Sequence, residues 1–164
     1  NAFFEMKKHL ENAKSGEFAM TAYEVSNTLS PNGTVSRGVC KVVDGYLDEV
    51  KEITKIDSNM QYEENGEVVT LSPDTPVSMN LWGLTPDVFD ELTIEFDKFL
   101  KTADLSKDEF FIPVVISGMK DKGKASIKVF KNTDKWYGIT YREDLAELKS
   151  AIGGYIDVGL YKGI

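Results

Sequence analysis

Alternation and helical spacing divide the chain into short segments. Residues 18–25, FAMTAYEV, set Phe18, Met20 and Ala22 against polar Thr21 and predict a strand. Residues 38–43 predict a second strand, Asp44-Gly45 a tight turn, and residues 46–53 the returning strand. Residues 57–71 read as a further hairpin around Asn65-Gly66, a β-ribbon inserted before the Pro-rich loop 72–76. Residues 77–84 predict a buried strand that runs into Thr85-Pro86-Asp87. Thr85 is a good helix N-cap there, and Pro86 suits the first helical position, where no N–H is needed. Val88, Phe89, Leu92 and Phe96 then recur at helical spacing, in a helix expected to reach about Lys101.

The remaining segments follow the same logic. Residues 3–13 predict a short helix broken at Ser15-Gly16. Asp104-Leu105-Ser106 starts a second helical region ending near Gly123, with Pro113 predicting a kink or a short first turn. In residues 125–130, Ile127 and Val129 alternate with Ser126 and Lys128, and residues 136–141 predict a last strand. Residues 143–156 predict a final amphipathic helix with Leu145, Leu148 and Ile152 on one stripe, weakened by Gly153-Gly154. The expected fold class is α/β, a mixed sheet with flanking helices and an inserted β-ribbon.

Length and charge narrow the picture. At 164 residues the chain predicts a single domain, 1–164, with a substantial core. A net charge of −8 argues against a partner built on nucleic-acid phosphates and against an anionic membrane surface. No apolar run approaches the roughly 20 residues of a membrane span. No signal peptide is visible, because Phe3-Phe4 is followed at once by Glu5, Lys7 and Lys8; Asn1-Ala2 reads as a cloning scar. Cys40 is the only cysteine, which rules out an internal disulfide and favours a reducing, cytoplasmic compartment. It reads as a small strand hydrophobe, since the sole histidine, His9, lies far along the chain in a polar helix.

The chemistry-bearing motifs are sparse. No G-x-x-x-x-G-K-[ST] or G-x-G-x-x-G cradle for phosphate is present, and no Cys/His cluster has metal-ligand spacing. One histidine excludes most catalytic triads. The residues by themselves describe an acidic α/β domain with a few candidate polar contacts.

Four segments carry a resemblance. These are Ser36-Arg37-Gly38-Val39, the run 47–55 (LDEVKEITK), Val77-Ser78-Met79-Asn80-Leu81-Trp82, and the run 135–145 (KWYGITYREDL). In order and spacing they resemble the C-terminal half of bacterial sugar-phosphate nucleotidyltransferases, over nearly the whole chain. The resemblance implies part of a nucleotidyltransferase-type Rossmann-like fold. It also implies a parent enzyme that makes an NDP-sugar and pyrophosphate from an NTP and a sugar 1-phosphate, with Mg²⁺. The family's glycine-rich NTP loop and first metal-binding Asp are absent from this sequence. The fragment is therefore expected to be inactive alone, to hold no cofactor and to bind NTP-Mg²⁺ only weakly.

Carried over residue by residue, the resemblance implies a sugar-phosphate site and no catalytic or metal residue. Gly38 matches a glycine whose backbone approaches the sugar, and Arg37 beside it can pair with phosphate. Glu52 matches a Glu that accepts sugar hydroxyls; Lys55 is the nearest matching cation, without the Pro that follows in the family. Asn80 replaces a Gly beneath the sugar, and Lys135 can reach a phosphate. Gly138 stands where the family has its second Mg²⁺-binding Asp, and glycine cannot supply that charge. Gly38, Glu52, Asn80 and Trp136 are expected around one concavity. Two alternatives remain open: a binding or regulatory module that has lost catalysis, and an oligomerisation domain. A fragment of a larger sheet is expected to expose apolar residues 18–23 and to form a homodimer through that strand or patch.

Overall fold

The computed structural model describes residues 2–139 and 141–161. Asn1, the first half of the suspected scar, and Thr140, inside the expected last strand, lie outside the described residues; Ala2 is the first residue of α1 (Ala2–Leu10).

The fold is mixed α/β. Five strands close into a barrel in the order β1-β6-β2-β3-β7. They are β1 (Glu17–Glu24), β2 (Val35–Val43), β3 (Tyr46–Ile56), β6 (Pro76–Gly83) and β7 (Ser126–Asn132). β1 and β7 run parallel and the other barrel pairs are antiparallel, so the sheet is mixed as expected. The inserted ribbon is the hairpin of β4 (Gln61–Glu64) and β5 (Glu67–Thr70), turning at Asn65-Gly66 with both residues at positive φ, as a tight primed turn requires.

Alternation in the sequence becomes two faces of the wall. Phe18, Met20 and Ala22 of β1 and Ile127 and Val129 of β7 point into the main core with Cys40, Leu47, Val88, Ile116 and Met119. A smaller core gathers Val35, Ile53 and Ile56. Burying a side chain such as Phe18 contributes ~1.5–3 kcal/mol. β1 is bonded on both edges and residues 18–22 are all buried. The expectation that residues 18–23 form an exposed strand that recruits a second copy is therefore corrected. β6 and β7 occupy both edges of β1, which no local pattern could foretell.

The helices differ from expectation at their ends. α2 (Val88–Thr102) begins after Thr85-Pro86-Asp87, and the Thr85 side chain does not cap it: Thr85 Oγ1 accepts the Gly16 N–H at 3.2 Å and bonds Asp87. Val88 faces the core while Phe89 points to solvent. α3 (Ile112–Asp121) starts later than expected. Residues 104–111 are not helical, and Pro113 falls in the first turn, where it interrupts no hydrogen bond and causes no kink. Residues 136–139 form no strand. α4 (Asp144–Asp157) runs through Gly153-Gly154, but Leu145 and Ile152 stay exposed, so its apolar stripe is not buried.

α2 is fastened by a charge cluster rather than by its apolar face alone. Glu91, buried on α2, takes Lys122 Nζ at 2.6 Å and Lys124 Nζ at 2.6 Å. Those two hydrogen bonds hold its carboxyl down to about 2, from an ordinary 4.5. A depressed carboxylate stabilises the fold fully above about pH 4.5, and the contribution is lost as pH falls through about 2. Glu91→Gln is expected to lower the unfolding midpoint at pH 7, and the gap from the native protein should shrink steadily between pH 5 and pH 2. Thermal unfolding measured across that range checks this. A gap that does not change with pH would show that the cluster contributes no charge-dependent stability.

Candidate functional site

Three barrel strands and one irregular segment build the site. Gly38 on β2 pairs with Glu52 on β3 and with Ser78 on β6, so these three lie side by side across the wall. A Cβ on Gly38 would meet Val50 Cγ2 at 3.0 Å, Ser78 Cβ at 3.4 Å and Glu52 Oε2 at 3.7 Å. The glycine thus leaves a shallow floor beside the exposed Glu52 carboxylate.

Next to Ser78 the wall bulges. Between the pairs Met20–Trp82 and Ala22–Ser78, Thr21 of β1 stands opposite Met79, Asn80 and Leu81 of β6. Asn80 takes φ +60°, and its backbone N–H donates to Ser78 Oγ at 3.2 Å. Left-handed backbone at a non-glycine residue costs energy and is tolerated best by Asn and Asp. A bulge of this kind aims side chains out of the sheet. Met79, Asn80 and Leu81 accordingly line a cleft of about 860 Å³. The Asn80 side-chain amide has no hydrogen-bond partner among the described residues.

The irregular residues 133–139 and Tyr141 are laid across the 3-10 turn Val25–Thr28 and the loop before β2. Trp136 N–H donates to the Asn27 carbonyl at 2.9 Å, and Asn27 Nδ2 donates to the Thr133 carbonyl at 3.1 Å. Tyr141 donates its hydroxyl to the Thr34 carbonyl at 3.1 Å and packs where a Cβ on Gly33 would otherwise sit. Asp144, the first residue of α4, accepts from Asn32 Nδ2 at 2.7 Å, Ser30 Oγ at 3.3 Å and the Tyr141 N–H at 2.8 Å. An acidic residue in a first helical turn serves the helix dipole. Here it also ties the helix to the loop 30–34.

Arg37 is placed by this arrangement. Its Nε donates to Thr28 Oγ1 at 3.1 Å, further donors reach the Thr28 and Ser36 carbonyls, and its guanidinium carbon lies 5.5 Å from the centre of the Trp136 ring. Desolvation lowers its pKa and the Glu52 charge partly offsets this, so Arg37 is a half-buried cation within the field of Glu52. Lys135 is bound to Glu147 of α4 and stands 5.1 Å over the Tyr137 ring; its pKa is raised chiefly by the Glu147 hydrogen bond.

The single concavity expected around Gly38, Glu52, Asn80 and Trp136 is not formed: Arg37 lines a smaller recess with Trp136 and Gly138, apart from Asn80. Asn80, Lys135 and Trp136 line the cleft itself, while Gly38 and Glu52 adjoin it through Ser78. Lys55 is not brought in. It sits exposed at φ +59° in a bulge of β3, between the pairs Arg37–Ile53 and Val35–Ile56. A bulge there turns the side chain away from the position that sequence spacing alone would assign. Cys40 is a buried thiol pushed up to about 12 by burial, unsuited to nucleophilic work.

Gly138 has a steric role. A Cβ there would fall well under 3.0 Å from the six-membered ring of Trp136, which occupies that space. Among the described residues no group of three or more His, Cys, Asp or Glu is arranged to hold a metal. Gly138 has no side chain to offer a cation, and no step through the Mg²⁺ that the resemblance implies is derived for this chain.

Sequence reasoning missed Tyr23, Asp134, Tyr155 and Tyr161, which also line the cleft. The repeated tyrosines after residue 136 were the available signal. Among the described residues, no helix is long and apolar enough to cross a membrane. Comparison with protein-family models and with curated proteins finds no match to this chain.

Proposed function

We propose that this chain is the sugar-phosphate-binding, C-terminal portion of a nucleotidyltransferase. In this reading the closed barrel is the sugar-phosphate-binding unit, and it is inactive alone. The reaction of the whole enzyme is attack of a sugar 1-phosphate oxygen on the α-phosphorus of an NTP. A P–O bond forms to give the NDP-sugar, and the α–β bridging P–O bond breaks to release pyrophosphate. Positioning of the two phosphates carries most of the work in such chemistry. The observation that supports this reading is the lateral pairing of Gly38 with Glu52 and Ser78, with Asn80 two residues on and Arg37 within the field of Glu52. A carboxylate and an amide there can share sugar hydroxyls, and the Arg37 guanidinium keeps its charge and its remaining N–H groups for a phosphate.

The second reading is a binding or regulatory module without catalysis. The packing of Trp136 against Gly138 favours it, because it leaves no room for a carboxylate at that position.

Calorimetry with a panel of hexose 1-phosphates tests the site. Binding is expected, with Arg37→Ala weakening it by about tenfold or more, as loss of a charge-assisted hydrogen bond does. Arg37→Lys should restore only part, since lysine lacks the planar fork. UTP, CTP and dTTP with Mg²⁺ should show no micromolar binding. Failure of every sugar 1-phosphate to bind, or binding indifferent to Arg37→Ala, would end the sugar-phosphate reading.

A further inference from the structure

The cleft between the β6 bulge and α4 carries chemistry that Arg37 and Glu52 do not account for. Its volume of about 860 Å³ lies within the ~300–1,000 Å³ of small-molecule sites and exceeds what one hexose fills. Aromatic rings from separate elements dominate it: Tyr23 of β1, Trp136 and Tyr137, Tyr155 of α4, and Tyr161. Tyr155 and Tyr161 meet edge to face with ring centres 6.1 Å apart, and Tyr137 lines the same cleft. These rings offer broad apolar faces with polar tips, the surface that the C–H faces of a pyranose cover well.

Charge and hydrogen bonding decide among ligands. Lys135 is the one basic side chain lining the cleft among the described residues, and Glu147 already engages it. Asp134 leaves the cleft negative, which disfavours an anion. Asp134 can accept hydroxyl hydrogens, and the unpartnered Asn80 amide can both donate and accept. A quaternary ammonium would use the rings and Asp134. It would leave the Asn80 amide without a partner, and it needs a far tighter cage than this cleft.

We propose that this cleft binds a neutral saccharide longer than one sugar. Its rings stack on Tyr137, Tyr155 and Trp136, and its hydroxyls bond Asn80 and Asp134. This goes beyond the sugar-phosphate reading and does not depend on it, because the phosphate-binding role there belongs to Arg37, on the recess side of residues 135–137.

Saturation-transfer NMR and calorimetry with cellobiose, maltose and chitobiose test it, with choline as the contrasting probe. At least one disaccharide should bind. Tyr155→Ala and Asn80→Ala should each weaken it by about tenfold, the size of one lost stacking or hydrogen-bonding contact, while Tyr155→Phe keeps most of the affinity. Thermal unfolding will confirm that each variant is folded. The proposal is overturned if no disaccharide binds, if binding survives both alanine variants, or if choline binds and the saccharides do not. Disaccharide binding without sugar 1-phosphate binding would remove the earlier reading alone. Sugar 1-phosphate binding that Arg37→Ala abolishes, with no disaccharide bound, would remove this one alone.

Discussion

Gly16→Ala is expected to destabilise the protein by ~3 kcal/mol or more, lowering the unfolding midpoint by ~6–12 °C for a chain of this size. Gly16 holds φ +77°, where an L side chain costs ~1–2 kcal/mol. The added Cβ would also fall under 3.0 Å from the Lys124 carbonyl oxygen, a backbone atom that cannot rotate away. Relief by local movement is opposed by two hydrogen bonds. The Gly16 N–H donates to Thr85 Oγ1 at 3.2 Å, and its carbonyl accepts from Ser126 N–H at 2.9 Å. The residue therefore joins the start of β1, the approach to α2 and the start of β7. Denaturant and thermal unfolding measure the effect. A midpoint within ~2 °C of the native protein would show that the β1–β7 junction is far softer than these contacts imply.

Gly138→Asp is expected to cost ~1–3 kcal/mol and to build no metal site. The new Cβ claims space held by the Trp136 ring, so the indole must leave and Arg37 loses its stacking partner. Trp136 fluorescence should shift to longer wavelength as the ring enters water, and sugar 1-phosphate affinity should fall with it. Added Mg²⁺ should restore neither stability nor emission, because the displaced indole, and not a missing charge, causes the loss. A variant stabilised by Mg²⁺, or one whose emission does not move, would contradict the steric account. That outcome would favour a lost metal ligand at this position.

Both effects concern glycines that the sequence marked for other reasons. Gly16 read as a helix breaker and Gly138 as a missing carboxylate. In each case the deciding neighbour, the Lys124 carbonyl or the Trp136 ring, is fixed by tertiary packing. The candidate site divides in the same way. Glu52 reaches Gly38 because a hairpin at Asp44-Gly45 sets the register of β2 and β3, and that hairpin was legible. Asn80 joins them only through the β2–β6 pairing and the bulge opposite Thr21. Lys55, three residues beyond Glu52, was lost from the site because a second bulge intervenes. A bulge adds one or two residues to one strand, and no period in the sequence announces it.

The sequence by itself determined most strands and helices but not the last strand or the start of α3, together with both hairpin turns, the inward faces of β1 and β7, and the inertness of Cys40. Each follows from residues within a few positions of one another, where a two-residue or 3.6-residue period sorts side chains by face. The tertiary structure decided the rest. It closed the barrel by pairing β7 with β1 in parallel, which buries the strand that the sequence left exposed. It laid residues 133–139 across the turn at Asn27 as an irregular segment instead of a strand, through hydrogen bonds between positions far apart in the chain. It also gathered tyrosines from β1, the irregular segment and α4 around one cleft. The physical reason is that local pattern fixes which way a side chain points, while its neighbours depend on which distant backbone satisfies each strand edge and loop carbonyl.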